Sequence, residues 1–175
     1  QMLSLLIYPL SPRVARRINR WCARSIWGIW VLMAERLLGI QVNFRGEALP
    51  WRENALVIPN HQSMADVLLL ICLAWRCGRL GDMKWFVKDV IKYVPGPGWG
   101  MWLLDCIFLA RDWARDKAGI LRLFDKYKKH DIPMFLVSFL EGTRRTPGKL
   151  AAAQAFAKER GQYVITAWAE GVPYY

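Results

Sequence analysis

The chain of 175 residues has little histidine and no paired cysteine motif. It contains two histidines and four cysteines, and no two cysteines form a Cys-x-x-Cys pair. Zinc sites are built from clusters of these side chains, so we expect no metal site. All four cysteines lie in apolar segments, which predicts buried thiols in a reducing compartment: Cys22, Cys72, Cys77 and Cys106.

Long apolar runs, repeats and linkers are also missing. No stretch of eighteen apolar residues is free of charge, so the sequence predicts no spanning helix within this chain. The chain begins with Gln1 rather than Met and continues with apolar residues, which leaves open a membrane anchor upstream. Residues 41–175 contain no repeat, low-complexity tract or linker, and we expect them to form one domain.

Acidic residues are few, whereas apolar and basic residues are abundant. There are 14 acidic and 25 basic side chains, a formal net charge of +11, and 54% of the chain is hydrophobic with ten tryptophans. A chain that is both apolar and basic suits an anionic membrane surface. Tryptophan is also typical of membrane interfaces. Nucleic acid is the rival polyanion, but the tryptophans lie mostly in apolar runs, so we expect no nucleic-acid partner.

The N-terminal segment, residues 1–40, predicts an amphipathic and apolar helical region that associates with a membrane. Ser11 and Pro12 are typical of a helix start. The five arginines that follow fall within an arc of about 100° on a helix, with Val14, Ile18, Trp21 and Cys22 on the other side: Arg13, Arg16, Arg17, Arg20 and Arg24. The apolar residues 26–40 predict a second helix or a continuation. An ordinary solvated face is the alternative interpretation of the arginines.

From residue 41 onward, predicted strands alternate with predicted helices. This alternation favours an α/β domain with a mixed sheet flanked by helices. The predicted strands are Gln41–Arg45, Ala55–Pro59, Lys84–Val87, Cys106–Ala110 and Pro133–Phe139. The predicted helices are Ser63 to about Trp75, Trp99–Leu104, Asp112 to about Lys129, and Ala151–Arg160.

The stretch NHQSMAD, residues 60–66, follows a predicted strand and precedes a predicted helix. Ser63 and Asp66 have the spacing of a capping box, which would explain Asp66 structurally. The turn between strand and helix also lets His61 meet Asp66. A carboxylate bonded to one imidazole nitrogen fixes the tautomer and leaves the other nitrogen as a base. No serine or cysteine nucleophile lies nearby in the sequence, so the pair suits deprotonation of a substrate hydroxyl. The two interpretations of Asp66 are compatible.

Two further stretches place arginines at predicted strand ends. FLEGTRR follows the strand PMFLVS, and CIFLAR ends on Arg111. Arginines around the carboxyl edge of a sheet can bind phosphate with two parallel hydrogen bonds. Taken singly, each of these arginines is also compatible with an ordinary solvated charge.

In combination, four stretches resemble the glycerolipid or lysophospholipid acyltransferase family, which includes 1-acyl-sn-glycerol-3-phosphate acyltransferases. They are NHQSMAD, KWFVKDVIKYVPGPGWG, DCIFLAR and FLEGTRR, and the resemblance runs from about Leu56 to Gln162. Leu140 stands where the family usually has proline. After Gln162 the sequence departs from the family pattern, so the C-terminal end is expected to be truncated or divergent.

The resemblance implies roles for individual residues. His61 matches the family's general base and Asp66 its partner. The phosphate-binding arginine, the acceptor-binding block and one residue of the stretch between imply substrate binding: Arg111; Glu141, Gly142, Thr143 and Arg144; Lys88. Pro95 matches the same intermediate stretch and is assigned no role in binding.

The implied activity is acyl transfer from acyl-coenzyme A or acyl-carrier protein to a lysophospholipid hydroxyl, foremost that of 1-acyl-sn-glycerol-3-phosphate, to give phosphatidic acid. The thioester is a co-substrate, and no cofactor is expected. The expected location is a membrane surface, on the cytoplasmic face of the inner or cell membrane. The alternatives are an acyltransferase of the same fold with another lysolipid acceptor, or a basic protein that binds membrane or nucleic acid without activity.

Overall fold

A computed structural model of the chain describes residues 4–110, 112–139, 146–159 and 161. Its four strands are β1 (Ala55–Val57), β2 (Met83–Lys88), β3 (Ile107–Leu109) and β4 (Phe135–Val137). Its α-helices are α1 (Ser4–Ile7), α2 (Pro12–Leu32), α3 (Ala65–Arg76), α4 (Pro97–Leu103), α5 (Trp113–Lys129) and α6 (Pro147–Glu159). A π-helical segment (Met33–Leu37) extends α2, and 3-10 turns (Leu80–Asp82 and Asp89–Tyr93) flank β2.

The strands form one sheet in the order β1-β4-β2-β3, and every pair is parallel. The predicted α/β class is confirmed, but the prediction of a mixed sheet is wrong. Each strand connects to the next through helical segments, a crossover that returns the chain in the same direction. The predicted strand at 41–45 is not formed. Val42 packs against the core, but its segment pairs with no strand in the described part of the chain.

The hydrophobic core lies on one face of the sheet, beneath α2 and α3. Met83 and Trp85 of β2 and Phe135 and Val137 of β4 point to this side, where they pack with Ile71 and its neighbours on α3. Three of the cysteines, Cys72, Cys77 and Cys106, are buried, and Cys22 is partly buried, as free thiols. The cysteines therefore serve as small apolar core residues at three of the four positions.

The other face of the sheet is partly covered by α5, whereas Leu56 of β1 on this face is 57% exposed. Lys84 of β2 points to this side and is 3% exposed. Its Nζ donates to the Leu104 carbonyl at 2.7 Å and lies 5.2 Å from the centre of the Tyr127 ring on α5. Burial lowers the pKa of Lys84, although the nearby Asp105 opposes the shift. The sheet is thus a middle layer between helices.

Helix α2 begins where the sequence predicts. Ser11 is its N-cap, and the Ser11 hydroxyl accepts from the Val14 N–H at 3.4 Å, with Pro12 in the first turn. The apolar residues after Ser25 continue the same helix instead of starting a second one. The side of α2 turned to the protein carries small residues, since Ala15 and Ala23 are 0% and 3% exposed.

The five arginines of α2 do not form one outward surface. The Arg20 Nε donates to the carboxylate of Asp82, which is 3% exposed. The same carboxylate also accepts from the Arg79 Nη1 at 3.0 Å. The guanidinium of Arg24 lies 5.9 Å from the centre of the Trp75 ring. The predicted uniform stripe is therefore wrong at Arg20, because a buried carboxylate 62 residues away requires a cationic partner. Arg13 and Arg17 are exposed.

The segment YVPGPGWG contains more helix than predicted, because α4 begins at Pro97 inside it. Its close packing depends on Gly98. A Cβ at this position would lie 1.9 Å from the carbonyl oxygen of Ile91. Only glycine allows the start of α4 to approach the 3-10 turn that follows β2. The loop thus holds α4 against the carboxyl end of β2.

None of the described helices combines the length and the apolar character that are needed to cross a membrane.

Candidate active site

His61 lies in the connection between β1 and α3, at the carboxyl edge of the sheet. Asp66 lies in the first turn of α3. The His61 Nδ1 and the Asp66 Oδ2 are 3.1 Å apart, and the two side chains are 15% and 20% exposed. The structure therefore brings the predicted pair into contact at a partly sheltered site that solutes can reach. This edge is where parallel α/β sheets bind their ligands.

The carboxylate of Asp66 is held by the backbone as well as by the imidazole. Its Oδ2 accepts from the Gln62 N–H at 2.7 Å and the Ser63 N–H at 2.8 Å. Burial would raise the pKa of Asp66, but the hydrogen bonds from Ser63, His61 and Gln62 outweigh burial and lower it. Asp66 is therefore a stable carboxylate, oriented to hold a proton on the Nδ1 of His61.

The predicted capping box is present in modified form. Asp66 reaches back to the Ser63 N–H, as the spacing predicts. The Ser63 hydroxyl, however, accepts from the Ala65 N–H at 3.0 Å, and Met64 is the residue at the N-cap. The helix starts two residues after Ser63 because residues 61–64 wrap around the carboxylate. Asp66 thus contacts both the backbone at the start of α3 and the His61 imidazole, so its structural and chemical interpretations are compatible.

Two aromatic residues complete the surroundings of His61, and sequence reasoning missed both. The His61 and Phe139 rings stack, with centroids 4.1 Å apart and an interplanar angle of 25°. Trp85 stacks behind Phe139 at 6.4 Å and 29°. The available signal was the position of Phe139 just after a buried strand, the same kind of position that singled out His61.

Most of the predicted acceptor-binding residues lie outside the described residues: Arg111, Glu141, Gly142, Thr143 and Arg144. Their described neighbours Ala110 and Phe139 follow β3 and β4. Lys88 ends β2 at the same edge of the sheet and is exposed. Among the described residues, no hydrogen bond or ion pair joins Lys88 to His61 or Asp66.

An apolar cavity of about 430 Å³ lies between α2 and α4. Trp27 and Trp30 of α2 and Trp99 and Met101 of α4 line it. Met101 also packs against the core that contains Trp85 and adjoins Phe139. The cavity is thus in the size range of ligand pockets and borders the same core as the His61 site.

In a comparison with known protein families, most of the chain matches one family model. Residues 41–173 match the family model described as Acyltransferase. This match includes His61, Asp66 and every other residue predicted for the site.

The chain is also similar to curated acyltransferases. It is 36% identical over 160 residues to 1-acyl-sn-glycerol-3-phosphate acyltransferase 3 of Arabidopsis thaliana, covering 89% of this chain and 43% of that protein. Identity to 1-acyl-sn-glycerol-3-phosphate acyltransferase 2 of Arabidopsis thaliana is 37% over 161 residues, with 87% and 40% covered. Identity to lysocardiolipin acyltransferase 1 of Danio rerio is 30% over 154 residues, with 83% and 40% covered. The chain spans about two fifths of the length of these relatives. No solved structure matches it significantly.

Proposed function

The chain belongs to the acyltransferase family, and we propose that it transfers a fatty acyl group from a thioester to the free hydroxyl of a lysophospholipid. The first candidate acceptor is 1-acyl-sn-glycerol-3-phosphate, because relatives at 36% and 37% identity carry that name. The observation that carries the proposal is the contact of His61 with Asp66 at 3.1 Å on the carboxyl edge of the sheet.

His61 acts as the general base. With its proton on Nδ1 facing Asp66, the imidazole uses Nε2 to take the proton of the acceptor hydroxyl as that oxygen attacks the thioester carbonyl. The tetrahedral intermediate then collapses, the carbon–sulfur bond breaks, and the imidazolium returns its proton to the departing thiolate. The products are an ester and a free thiol, and the protein forms no covalent intermediate. General base catalysis of this kind contributes about 10²–10⁴-fold.

Asp66 keeps His61 ready for this step. Its carboxylate orients the imidazole and stabilises the imidazolium that forms during proton transfer. The N–H groups of Gln62 and Ser63 hold the carboxylate in place, so its orientation does not depend on the imidazole alone.

The acceptor phosphate is assigned to arginines. We propose that Arg111 and Arg144 bind it and that Glu141, Gly142 and Thr143 complete the acceptor site, as the family resemblance implies. Lys88, exposed at the same edge, supplies a further positive charge. Two guanidinium groups that hold one phosphate would fix the hydroxyl near His61.

The apolar cavity supports the proposal that the substrate is a lipid. A buried methylene group is worth about 0.8 kcal/mol, so moving a chain of about sixteen carbons into water would cost on the order of 12 kcal/mol. An acyltransferase must therefore shelter the acyl chain, and we assign this role to the cavity between α2 and α4. The thioester donor is acyl-coenzyme A or acyl-carrier protein, and no cofactor is required.

The outward side of α2 is our candidate membrane contact, on the cytoplasmic face of the membrane. Trp21 is 68% exposed and Val14 is 46% exposed, beside the exposed Arg13 and Arg17. Leu10, just before the helix, is 87% exposed. Val14 and Trp21, predicted on the side of the helix opposite the arginines, are thus exposed as well. Exposed apolar and basic side chains on one helix are typical of helices in an anionic membrane interface.

A second candidate acceptor is another lysolipid, lysocardiolipin. It is favoured by the 30% identity to lysocardiolipin acyltransferase 1. The same catalytic pair would serve either acceptor, because the reacting group in both is a hydroxyl.

The test is to incubate the chain with labelled acyl-coenzyme A or acyl-carrier protein and a panel of lysolipids, and to identify products by mass. We expect labelled phosphatidic acid from 1-acyl-sn-glycerol-3-phosphate, and none from the His61→Ala variant. Product from lysocardiolipin alone would support the second acceptor. Product from neither acceptor, with folded protein, would contradict the proposal.

A further inference from the structure

Three rings from three different segments form a cluster at the carboxyl edge of the sheet. His61 stacks on Phe139 with centroids 4.1 Å apart, and Trp85 follows at 6.4 Å from Phe139. Both interplanar angles are below 30°, so the rings are nearly parallel. The imidazole is therefore supported on its flat face as well as at its Nδ1 edge.

The strand register explains why the rings meet. Val137 of β4 pairs with Val57 of β1 on one side and with Trp85 of β2 on the other. Phe139 is two residues beyond Val137, so its side chain continues on the face that carries Trp85. His61 follows β1 by four residues and stacks on the Phe139 ring.

The backbone near Phe139 is fixed beyond the end of β4. The Ser138 N–H donates to the Val57 carbonyl at 2.9 Å, so the pairing with β1 continues one residue past the strand. Trp85 is 7% exposed, and its Nε1 has no hydrogen-bond partner among the described residues. Ring packing rather than a hydrogen bond therefore holds Trp85 behind Phe139.

Phe139 supplies a restraint that Asp66 cannot. The contact between Asp66 and Nδ1 fixes one edge of the imidazole but still allows the ring to tilt about that contact. A flat ring on the imidazole face removes this freedom and fixes the direction in which Nε2 points. Proton transfer is sensitive to such alignment, since small misplacements of reacting groups can lower rates by up to about 10²-fold.

We propose that Phe139 is a positioning residue that sets the plane of the His61 imidazole, with Trp85 as its support. This inference rests on the proposed acyltransferase function. Phe139 contacts the general base and is not assigned any contact with a substrate.

The first test compares Phe139→Leu with Phe124→Leu. Leucine keeps an apolar side chain but removes the flat ring. Phe124 of α5 is a matched control because it is also a partly buried phenylalanine in contact with another aromatic ring, that of Tyr127 at 5.9 Å. It lies outside the stretches that carry the family resemblance. We expect kcat to fall about tenfold or more in Phe139→Leu, with the KM of both substrates within about threefold of wild type. Phe124→Leu should keep the wild-type kcat.

Phe139→Tyr and Phe139→Trp test rescue, since both restore a flat ring. We expect at least one of them to recover most of the lost kcat. Wild-type kcat in folded Phe139→Leu would overturn the positioning role. An equal loss of kcat in Phe124→Leu would also overturn it, because a general weakening of the fold would then explain both.

The second test does not require activity. The ring current of Phe139 should move the His61 ring-proton resonances upfield in the NMR spectrum of the wild type. His130, the other histidine, is exposed and serves as an internal reference. In Phe139→Leu the His61 signals should move back toward the positions of an unstacked imidazole, while those of His130 stay unchanged. Unchanged His61 signals would overturn the stack itself.

The outcomes separate the two proposals. If the wild type is active, His61→Ala is inactive and Phe139→Leu matches the wild type, only the positioning role is wrong. If the wild type and His61→Ala transfer acyl groups at the same rate, the general-base role of His61 is wrong, and the positioning role is wrong with it. If the folded wild type transfers no acyl group, the proposed function is wrong, and the NMR comparison still decides whether Phe139 stacks on His61.

Discussion

The two histidines of the chain lie at opposite edges of the sheet, and their surroundings differ in every respect. His61 follows a strand and precedes a helix, with Asp66 at 3.1 Å and an aromatic ring on its face. His130 follows helix α5 and precedes β4, where it is exposed beside Lys126, Lys128 and Lys129. The same residue type is thus oriented for chemistry at the carboxyl edge and solvated at the amino edge.

The difference shows that the location in the sheet decides what a histidine can do. At the carboxyl edge, turns after parallel strands carry side chains and backbone N–H groups toward one crevice. At the amino edge, the chain arrives from the C-terminal ends of helices, where basic residues favour the helix dipole. The lysines around His130 are explained by that preference.

The sharpest test of this comparison replaces each histidine in turn. His61→Ala should lower kcat by about 10²–10⁴-fold, because the general base is lost. His130→Ala should leave kcat within about twofold of wild type. Steady-state acyl transfer, with circular dichroism to show that both variants fold, provides the measurement. Comparable activity of the two variants would remove the distinction between the two edges.

Asp66→Asn tests the carboxylate that contacts His61 and that distinguishes its surroundings from those of His130. The substitution keeps the shape but removes the charge that steadies the imidazolium. Hydrogen bonds to charged groups contribute about 1.5–3 kcal/mol, so we expect kcat to fall about tenfold to 10²-fold. Asp125→Asn, a similar change near His130, should leave kcat unaltered. Wild-type turnover by Asp66→Asn would show that Asp66 has only a structural role at the start of α3.

Much of this comparison is visible in the sequence. The spacing of His61 and Asp66 predicts their contact, and Ser11 with Pro12 predicts the start of α2. The predicted helix from Asp112 to about Lys129 is confirmed, with Asp112 as its N-cap. These features are local, so a few neighbouring residues determine them.

Features that depend on distant residues could not be predicted. The stack of Phe139 on His61 requires the register of β1 against β4, which no single segment encodes. The pairing of Arg20 with Asp82 requires the docking of α2, and sequence reasoning instead placed Arg20 on a free surface. The strand predicted at 41–45 is a similar case. Alternating apolar and polar residues within a segment do not specify which strand, if any, pairs with it.

A second pair of regions, the outward side of α2 and the basic end of α5, compares two positively charged surfaces. Replacing Arg13 and Arg17 by Gln should weaken binding to vesicles that contain phosphatidylserine. Each basic residue near an anionic surface contributes about 1 kcal/mol, so the loss is about 30-fold at low salt. The matched variant replaces Lys128 and Lys129 by Gln and should bind as wild type. Equal losses in both variants would show that net charge alone governs binding. Arg20 is left intact because it holds Asp82.

The smallest expected effect concerns stability and pH. The pKa of Asp66 in the folded chain lies below its ordinary value of 3.8. Its carboxylate therefore stabilises the fold above that pH, and this contribution is lost as the pH falls through the lowered pKa. Denaturant unfolding should show wild type more stable than Asp66→Asn by about 1–3 kcal/mol at neutral pH. This difference in the free energy of unfolding should become smaller below about pH 3.8. A difference that stays constant down to pH 2 would contradict the stabilising role of the Asp66 carboxylate.

The attachment of α2 to the sheet layer has a mechanical consequence. Arg20 joins the buried Asp82, and the Asn19 side chain donates to the Leu103 carbonyl at 3.2 Å, so α2 is fastened at both the turn before β2 and the end of α4. Ala15, Ala23 and Val31 are buried along the same helix, so α2 is held over most of its length and cannot pivot like a tether. Whatever surface α2 settles on must meet the rest of the molecule at one fixed inclination, and the pair of His61 and Asp66 then lies at a constant height above that surface.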